Sequence, residues 1–164
     1  MVRKAIEADA ERIAEIYVSS YRLAFHAFLP AEYLFSKLKF SKRFESYRRI
    51  IQEGKQDLFV CEDSGLVFGF AHCGKSENAD VENAYQIWDL FVEPALMRTG
   101  FGTILIDEIV NHAVSHKYYE IVLWTFEANC GAITFYEKHG FTPDGKEELV
   151  EHLKAKMLRF RRRL

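Results

Sequence analysis

Two glycines stand where a helix begins. In the stretch from Glu93 to Thr103, EPALMRTGFGT, a proline, a basic residue and two glycines precede an apolar repeat at Ile104, Leu105, Ile109 and Val110. Glycine is a poor helix former, so this segment is either a plain turn or a stretch of bare backbone that holds an anion. Free N–H groups and the helix dipole both favour negative charge at a helix start. Without a Cβ at Gly100 or Gly102, phosphate oxygens can approach the main chain. A lone G-x-G does not separate the two readings, but it excludes two nucleotide motifs. The third small residue of the dinucleotide fingerprint is replaced by Leu105, and no Gly-Lys-Ser/Thr exists for a Walker-type loop. A second pattern, His112 and His116, has the i, i+4 spacing of two zinc ligands on one helix face. Its H-A-V-S-H lacks the glutamate of H-E-x-x-H and signals no third ligand, which favours a solvated helix end and no metal.

The elements that must position these residues follow from periodicity. Val2–Ile6 suits a short strand, and Ile13, Ile16, Tyr17, Tyr21 and Phe25 recur near helical spacing, with Asp9 placed as an N-cap. After Pro30 come one or two further helices, with Ser41 as a cap and Gly54 as a stop. Two strands meet at Asp63-Ser64-Gly65, a hairpin signal. A polar loop then leads to the strand YQIWDLFV, ended by Pro94. The glycine turn and its helix follow, then the strand YYEIVLWTF, a short helix closed by Gly140, and one or two last strands. That order predicts a mixed α/β sheet with helices on its faces.

At 164 residues and 49% hydrophobic, the chain is long enough for one domain, residues 1–164, with a sizeable core. A formal charge of −2 gives no general case for nucleic acid or an anionic membrane. The exception is the terminal RFRRRL, with Arg159, Arg161, Arg162 and Arg163. Alternation with Met157, Leu158 and Phe160 favours the outward side of a last strand over an RNA- or lipid-binding tail. Cys61, Cys73 and Cys130 are odd in number and lack C-x-x-C spacing, so they read as reduced thiols. No apolar run approaches the ~20 residues needed to span a bilayer, and the charged N-terminus is not a secretory signal. A cytoplasmic location is expected.

Downstream of the turn, Asn129 lies at a strand end, Tyr136 in the short helix, and His139-Gly140-Phe141 just after it. Together with Val92-Glu93-Pro94 and the glycine turn, these residues resemble the GNAT acetyltransferase superfamily. Its pattern runs V-x-P, Q/R-x-x-G-x-G/A, then N-x-x-A-x-x-F-Y-x-x-x-G-F. The last part is matched at Asn129, Ala132, Phe135, Tyr136, Gly140 and Phe141. The likeness is specific over 86–105 and 121–141 and extends in outline along the chain, including an N-terminal pair of helices like that of many small-molecule members. It implies a GNAT-type α/β fold: a mixed, mostly antiparallel sheet with a splayed central strand pair, flanked by helices. It also implies acetyl-CoA as co-substrate. The main chain of Met97, Arg98, Thr99, Gly100, Phe101, Gly102 and Thr103 would cradle the pyrophosphate. Backbone groups of Leu90, Phe91 and Val92 would follow the pantetheine arm and thioester, with Asn129, Phe135 and Tyr136 completing the cofactor site. One departure is that the family's Q/R position is Met97 here, with the basic residue one place later at Arg98.

Acetyl transfer to an amine needs a neutral nucleophile, a polarised carbonyl and a proton for the departing thiolate. By resemblance Tyr136 is the general acid, and a phenol of pKa ~10 can donate there; the plainer reading is a core tyrosine. The base is open. The glutamate of many relatives aligns with Gln86, which cannot serve. Asp89 lies in the same strand at odd spacing, and alternation predicts that it faces away from Gln86. His72 has a suitable ordinary pKa of ~6.5, although a lone strand histidine is more often a packing residue. Glu127 is a third candidate, and base catalysis through ordered water or binding of an already neutral amine are further routes. Tyr17, Tyr21, Phe25, Phe28, Tyr33 and Phe35 are mostly core, yet in the family these helices wall the acceptor pocket. Such a wall suits an apolar or cationic amine. The expected activity is acetylation of a primary amine, in a small molecule, by direct attack in a ternary complex. The alternatives are a CoA-binding regulatory module without turnover, and an acetyltransferase of protein or peptide amines. A nucleic-acid module resting on the arginine tail is a weaker third. Relatives are often homodimers, but no residue here demonstrates one, nor whether loop 78–83 is a flap.

Overall fold

The computed structural model describes residues 1–164. Seven strands, β1 (Val2–Lys4), β2 (Asp57–Asp63), β3 (Leu66–Lys75), β4 (Ala84–Val92), β5 (Glu120–Phe126), β6 (Thr142–Val150) and β7 (Ala155–Arg163), form one sheet in the order β1-β2-β3-β4-β5-β7-β6. Only the β4–β5 pair is parallel; the rest are antiparallel. Helices α1 (Ala10–Phe25) and α2 (Phe40–Glu53) cover one face, and α3 (Phe101–Ser115) and α4 (Cys130–Lys138) cover the other. Each face has its own apolar core. Ile13, Ile16, Tyr17 and Phe70 belong to the first, and Leu105, Ile106, Ile109 and Phe160 to the second.

Most local expectations hold, and the exceptions have physical reasons. Ser64 (φ 51°) and Gly65 (φ 79°) are both left-handed, the two-residue turn that matches strand twist in a hairpin. Gly54 (φ 61°) ends α2, as expected. Ser41 does not cap that helix: Lys39 holds the cap position in extended conformation, and Ser41 lies inside the first turn. Asp9 does not cap α1 either, because its carboxylate accepts the Ile6 N–H at 2.8 Å and pairs with Arg3 at 2.7 Å. The last strand expected is β7; its hairpin partner β6 is polar and mostly exposed, so it carries almost no apolar alternation. In α3 the buried stripe is Leu105, Ile106, Ile109 and Ala113, while Ile104 is exposed.

The feature that shapes the centre of the sheet is how briefly β4 and β5 pair. Their register runs only from Ala84 opposite Glu120 to Ile87 opposite Leu123. Beyond it the strands separate, leaving Trp88–Val92 and Trp124–Phe126 without each other. A bulge in β4 begins at the same place. His72 pairs with Asp89 and Cys73 with Ile87, so Trp88 is the extra residue, and a bulge bends its strand and raises its twist. Gly74 makes the bulge sterically feasible: a Cβ there would lie 2.8 Å from the Trp88 ring.

The bulge overturns the parity argument for Asp89. Gly74 pairs with Gln86 and His72 with Asp89, and residues two apart on β3 face the same side. Gln86 and Asp89 therefore share a face despite their odd spacing.

Candidate active site at the splayed strands

The turn between β4 and α3 exposes a row of main-chain donors. After a single 3-10 turn at Pro94–Leu96, Arg98 (φ 65°) and Gly100 (φ 100°) both take left-handed conformations. The amides of Met97 and Thr99 bond back to Pro94 and Leu96, and the first helical bond runs from the Ile104 N–H to Gly100. That leaves the N–H groups of Arg98, Gly100, Phe101, Gly102 and Thr103 without a partner in the chain. No acidic residue occupies the first turn of α3, so partial positive charge there is not neutralised. Met97, Arg98, Thr99 and Gly100 are exposed, and Arg98 forms no ion pair. These features suit an anion such as a pyrophosphate.

The two glycines have different structural grounds. Gly100 is required by its φ, and a Cβ on it would meet nothing within 4 Å, so the space beside it is open. Gly102 is favoured by packing: a Cβ would lie 3.3 Å from the Phe135 ring, which would have to yield by a few tenths of an ångström. Phe135 thus docks α4 onto the start of α3. His139 reinforces the junction, donating through Nδ1 to the Phe135 carbonyl at 2.7 Å and accepting the Thr103 hydroxyl through Nε2 at 3.2 Å. Asn129 caps α4 by accepting the Ala132 N–H at 3.3 Å. Of the β4 residues expected along the arm, Leu90 packs toward α3 and Phe91 toward α1. The Val92 carbonyl accepts the Ser20 hydroxyl at 2.9 Å.

Tyr136 lies in the apolar core on the α3–α4 face. Its ring is buried against Phe135 and Phe141 at 5.4 and 5.7 Å. No side-chain polar atom is both sealed and unpartnered, so the hydroxyl, which has no bond to the chain, keeps an opening. Burial, with smaller contributions from Cys73 and Asp89, raises its pKa well above that of an ordinary phenol.

On the opposite face α1 and α2 close over the same strands. Asp89 accepts the Tyr47 hydroxyl at 3.0 Å and lies 3.3 Å from His72 Nδ1, while His72 Nε2 lies 2.8 Å from the Gln56 amide oxygen. His72 therefore bridges Asp89 and Gln56 through its two ring nitrogens. Asp89 and His72 are separate candidates in the sequence; the fold brings them together and adds Tyr47 and Gln56, which no motif marks. Glu127 is not part of this group; it is exposed and pairs with Lys156 at 2.7 Å.

A continuous aromatic wall crosses the gap. Phe91 of β4 packs on Tyr17 at 5.2 Å, Tyr17 stacks on Tyr21, Tyr21 contacts Phe25 at 4.4 Å, and Phe25 meets Phe126 of β5 at 5.1 Å. Phe28 and Tyr33 extend it. Phe35 stays outside, exposed beneath Arg22. The cation lying on the wall is the chain's own: the Arg43 guanidinium sits 4.3 Å from the centroid of Tyr17.

Other marked residues have structural partners. Arg159 is 2% exposed and pairs with Asp80 at 2.6 Å and Asp144 at 2.7 Å, and Arg161 forks onto Glu120 with both bonds at 2.7 Å. The arginines are thus a paired strand face, which leaves little free charge for nucleic acid. Those contacts also fasten loop 78–83, where Val81 is buried and Asn83 bonds to Lys117. His112 is not at a solvated end: its Nε2 lies 3.2 Å from Asp57, and His116 stacks on it at 4.0 Å. No group of three or more His, Cys, Asp or Glu residues is arranged to hold a metal. No helix is long and apolar enough to cross a membrane.

Comparison with known proteins supplies the remaining findings. The model of the acetyltransferase (GNAT) family matches residues 10–141. An uncharacterised N-acetyltransferase of Methanocaldococcus jannaschii is 28% identical over 142 residues, covering 85% of this chain and 59% of that protein. The chain thus spans about three-fifths of that relative's length. One of Bacillus subtilis is 27% identical over 139 residues, covering 84% of this chain and 78% of the relative. Among solved structures, PaiA N-acetyltransferase of Thermoplasma acidophilum in complex with coenzyme A aligns with a TM-score of 0.78 at 17% identity, covering 100% of this chain and 98% of the other. YncA of Salmonella typhimurium with acetyl-CoA aligns with a TM-score of 0.75 at 20% identity, covering 100% and 93%. At such identities these structures establish the fold.

Proposed function

The chain belongs to the acetyltransferase (GNAT) family, and on that premise we propose that it transfers the acetyl group of acetyl-CoA to a primary amine of a small molecule, by direct attack in a ternary complex. The observation that carries the reading is one juxtaposition. A turn of free amides follows the unpaired end of β4, with the Tyr136 phenol in the core of one sheet face and a carboxylate–imidazole pair on the other.

In this reading the amides of Arg98, Gly100, Phe101, Gly102 and Thr103 hold the pyrophosphate, and the unpaired end of β4 guides the arm into the gap. Acetyl-CoA supplies the acyl group as a thioester. Asp89, acting with His72, takes the proton that the amine must lose; the nitrogen then bonds to the carbonyl carbon. As the carbon–sulfur bond breaks, Tyr136 donates its proton to the sulfur. Burial keeps this phenol protonated at neutral pH and also makes it a weaker acid than a free tyrosine. Burial raises the pKa of Cys61 and Cys73 and makes both poor nucleophiles for an acyl-enzyme route, which leaves only the exposed Cys130 for one.

A CoA-binding module without turnover draws its support from Gln86, the place of a glutamate in many relatives, and from Met97 at the family's Q/R position. The bulge weakens the first, since it brings Asp89 onto the same face as Gln86. The reading treats residues 1–164 as one GNAT domain, and its free thiols suit the cytoplasm. Calorimetric titration with acetyl-CoA, beside ATP and NAD, followed by thiol release across an amine panel, tests it. Selective acetyl-CoA binding with thiol release supports the proposal. Absence of binding by the folded protein overturns it, and binding without release on any amine favours the regulatory module.

A further inference from the structure

The acceptor side of the gap contains one charge that the chemistry above does not use. Arg43, on α2, is partly buried, yet its guanidinium makes no hydrogen bond and no ion pair within the chain. It lies over the face of Tyr17 in a cation–π contact. Other arginines near this cleft are engaged: Arg12 pairs with Glu93 at 2.7 Å, and Arg22 donates to the Leu34 carbonyl at 3.0 Å. Five N–H donors in a rigid fork without an acceptor are unusual for a partly buried guanidinium, which matches a carboxylate in two parallel bonds.

Its location gives the charge meaning. Tyr17, beneath Arg43, contacts Tyr47 at 5.9 Å, and the Tyr47 hydroxyl bonds to Asp89. A cation and an anion thus flank one aromatic layer on the same face of the splayed strands. They do not pair with each other, since no Arg43–carboxylate contact falls within 4.0 Å. Burial disfavours the Arg43 charge, but Tyr17, Tyr47 and Asp89 outweigh it. The wall's cation–π position is already filled from within, which counts against a polycationic acceptor.

We propose that Arg43 anchors a carboxylate of the acceptor, so that the amine substrate is a small zwitterion: its ammonium is directed to Asp89 and His72 and its carboxylate to Arg43. One guanidinium balances one negative charge, which fits a monoanionic carboxylate. This inference rests on the acetyltransferase reading and deepens it to a substrate class, the amino carboxylates.

The test compares L-amino acids with their own carboxamides, and with spermidine and putrescine, as acceptors at saturating acetyl-CoA. It uses wild type, Arg43→Met and Arg43→Lys. Acetyl-CoA binding by calorimetry and the unfolding midpoint are measured for each. The expected result is that wild type prefers at least one amino carboxylate to its carboxamide. Arg43→Met should lose about 10- to 100-fold in kcat/KM for the carboxylate, the range of a charge-assisted pair. The carboxamide and the acetyl-CoA affinity should be unaffected, and Arg43→Lys should recover part of the loss. Acetyl-CoA binding with turnover of polyamines or carboxamides only, or with no turnover of any amino carboxylate, overturns the inference and leaves the cofactor reading intact. So does a carboxylate preference that survives in Arg43→Met. Loss of acetyl-CoA binding in wild type itself would remove the reading and the inference together.

Discussion

Gly100→Ala separates the anion-binding role of the turn from its role as a turn. Gly100 has φ 100° and ψ −12°, outside the regions comfortable for an L-residue, so alanine there costs about 1–2 kcal/mol of backbone strain. Removing a glycine also restricts the unfolded chain, which returns about 0.4–1 kcal/mol. The net loss is therefore about 0–1.6 kcal/mol. For a chain of this size that lowers the unfolding midpoint by at most roughly 6 °C. No steric clash adds to it, because the new Cβ meets nothing within 4 Å. Ligand binding should suffer more. The methyl group stands on the open side of the turn, and any backbone rotation that relieves its strain turns the Phe101 amide away. Losing one charge-assisted N–H bond costs about 1.5–3 kcal/mol, or roughly 10- to 150-fold in acetyl-CoA affinity. Calorimetry on the folded variant, with its melting curve, reads both numbers. A midpoint that falls as expected while acetyl-CoA affinity stays within about twofold would refute the placement of the pyrophosphate at this turn. Gly102 is the poorer probe, since enlarging it pushes on Phe135 and disturbs α4.

Asp89→Asn should lower kcat by about 10²- to 10⁴-fold, the usual range for a lost general base. The fold should survive, because the amide oxygen can still accept the Tyr47 hydroxyl; steady-state rates that match wild type would remove Asp89 from the chemistry. Arg159→Met removes the short ion pairs of Asp144 and Asp80, leaving them only Arg161 and Lys146, each at 3.6 Å. It should cost about 2–4 kcal/mol, less than a fully buried pair because Asp80 is 44% exposed; a midpoint unchanged in thermal melts contradicts this. Stability should fall in two stages on acidification. Burial lowers the pKa of His112 below 6.5. Burial opposes the charges of Asp9, Asp57 and Asp144, but Arg3, Lys4 with Tyr85, and Arg159 hold all three below 3.8. In every case the unfolded chain binds more protons between the two pKa values, so stability rises with pH there. Melting midpoints should decline gently below about pH 6.5 and steeply below about 4. His112→Asn should remove only the first stage, and a midpoint that rises from pH 7 to 6 would contradict the assignment.

Sequence alone determined the parts whose signals are local. Hydrophobic period, Gly54, the Ser64-Gly65 turn and the strand-ending Pro94 fixed most of the elements, because each expresses a conformational preference of a few neighbouring residues. The glycine turn and the spacing from Asn129 to Phe141 were legible for the same reason, and they sufficed to identify the family. Tertiary structure decided what depends on residues distant in sequence. The extra residue at Trp88, accommodated by Gly74 on the neighbouring strand, put Asp89 on the face of Gln86 and against His72. Strand parity counted along one segment cannot detect a bulge, because the bulge is a property of a pair. Likewise Gln56, Tyr47 and the unpartnered Arg43 carry no motif. Their meaning comes from α2 folding across strands that follow it in the chain, and buried side chains acquire chemical roles from neighbours that only packing supplies.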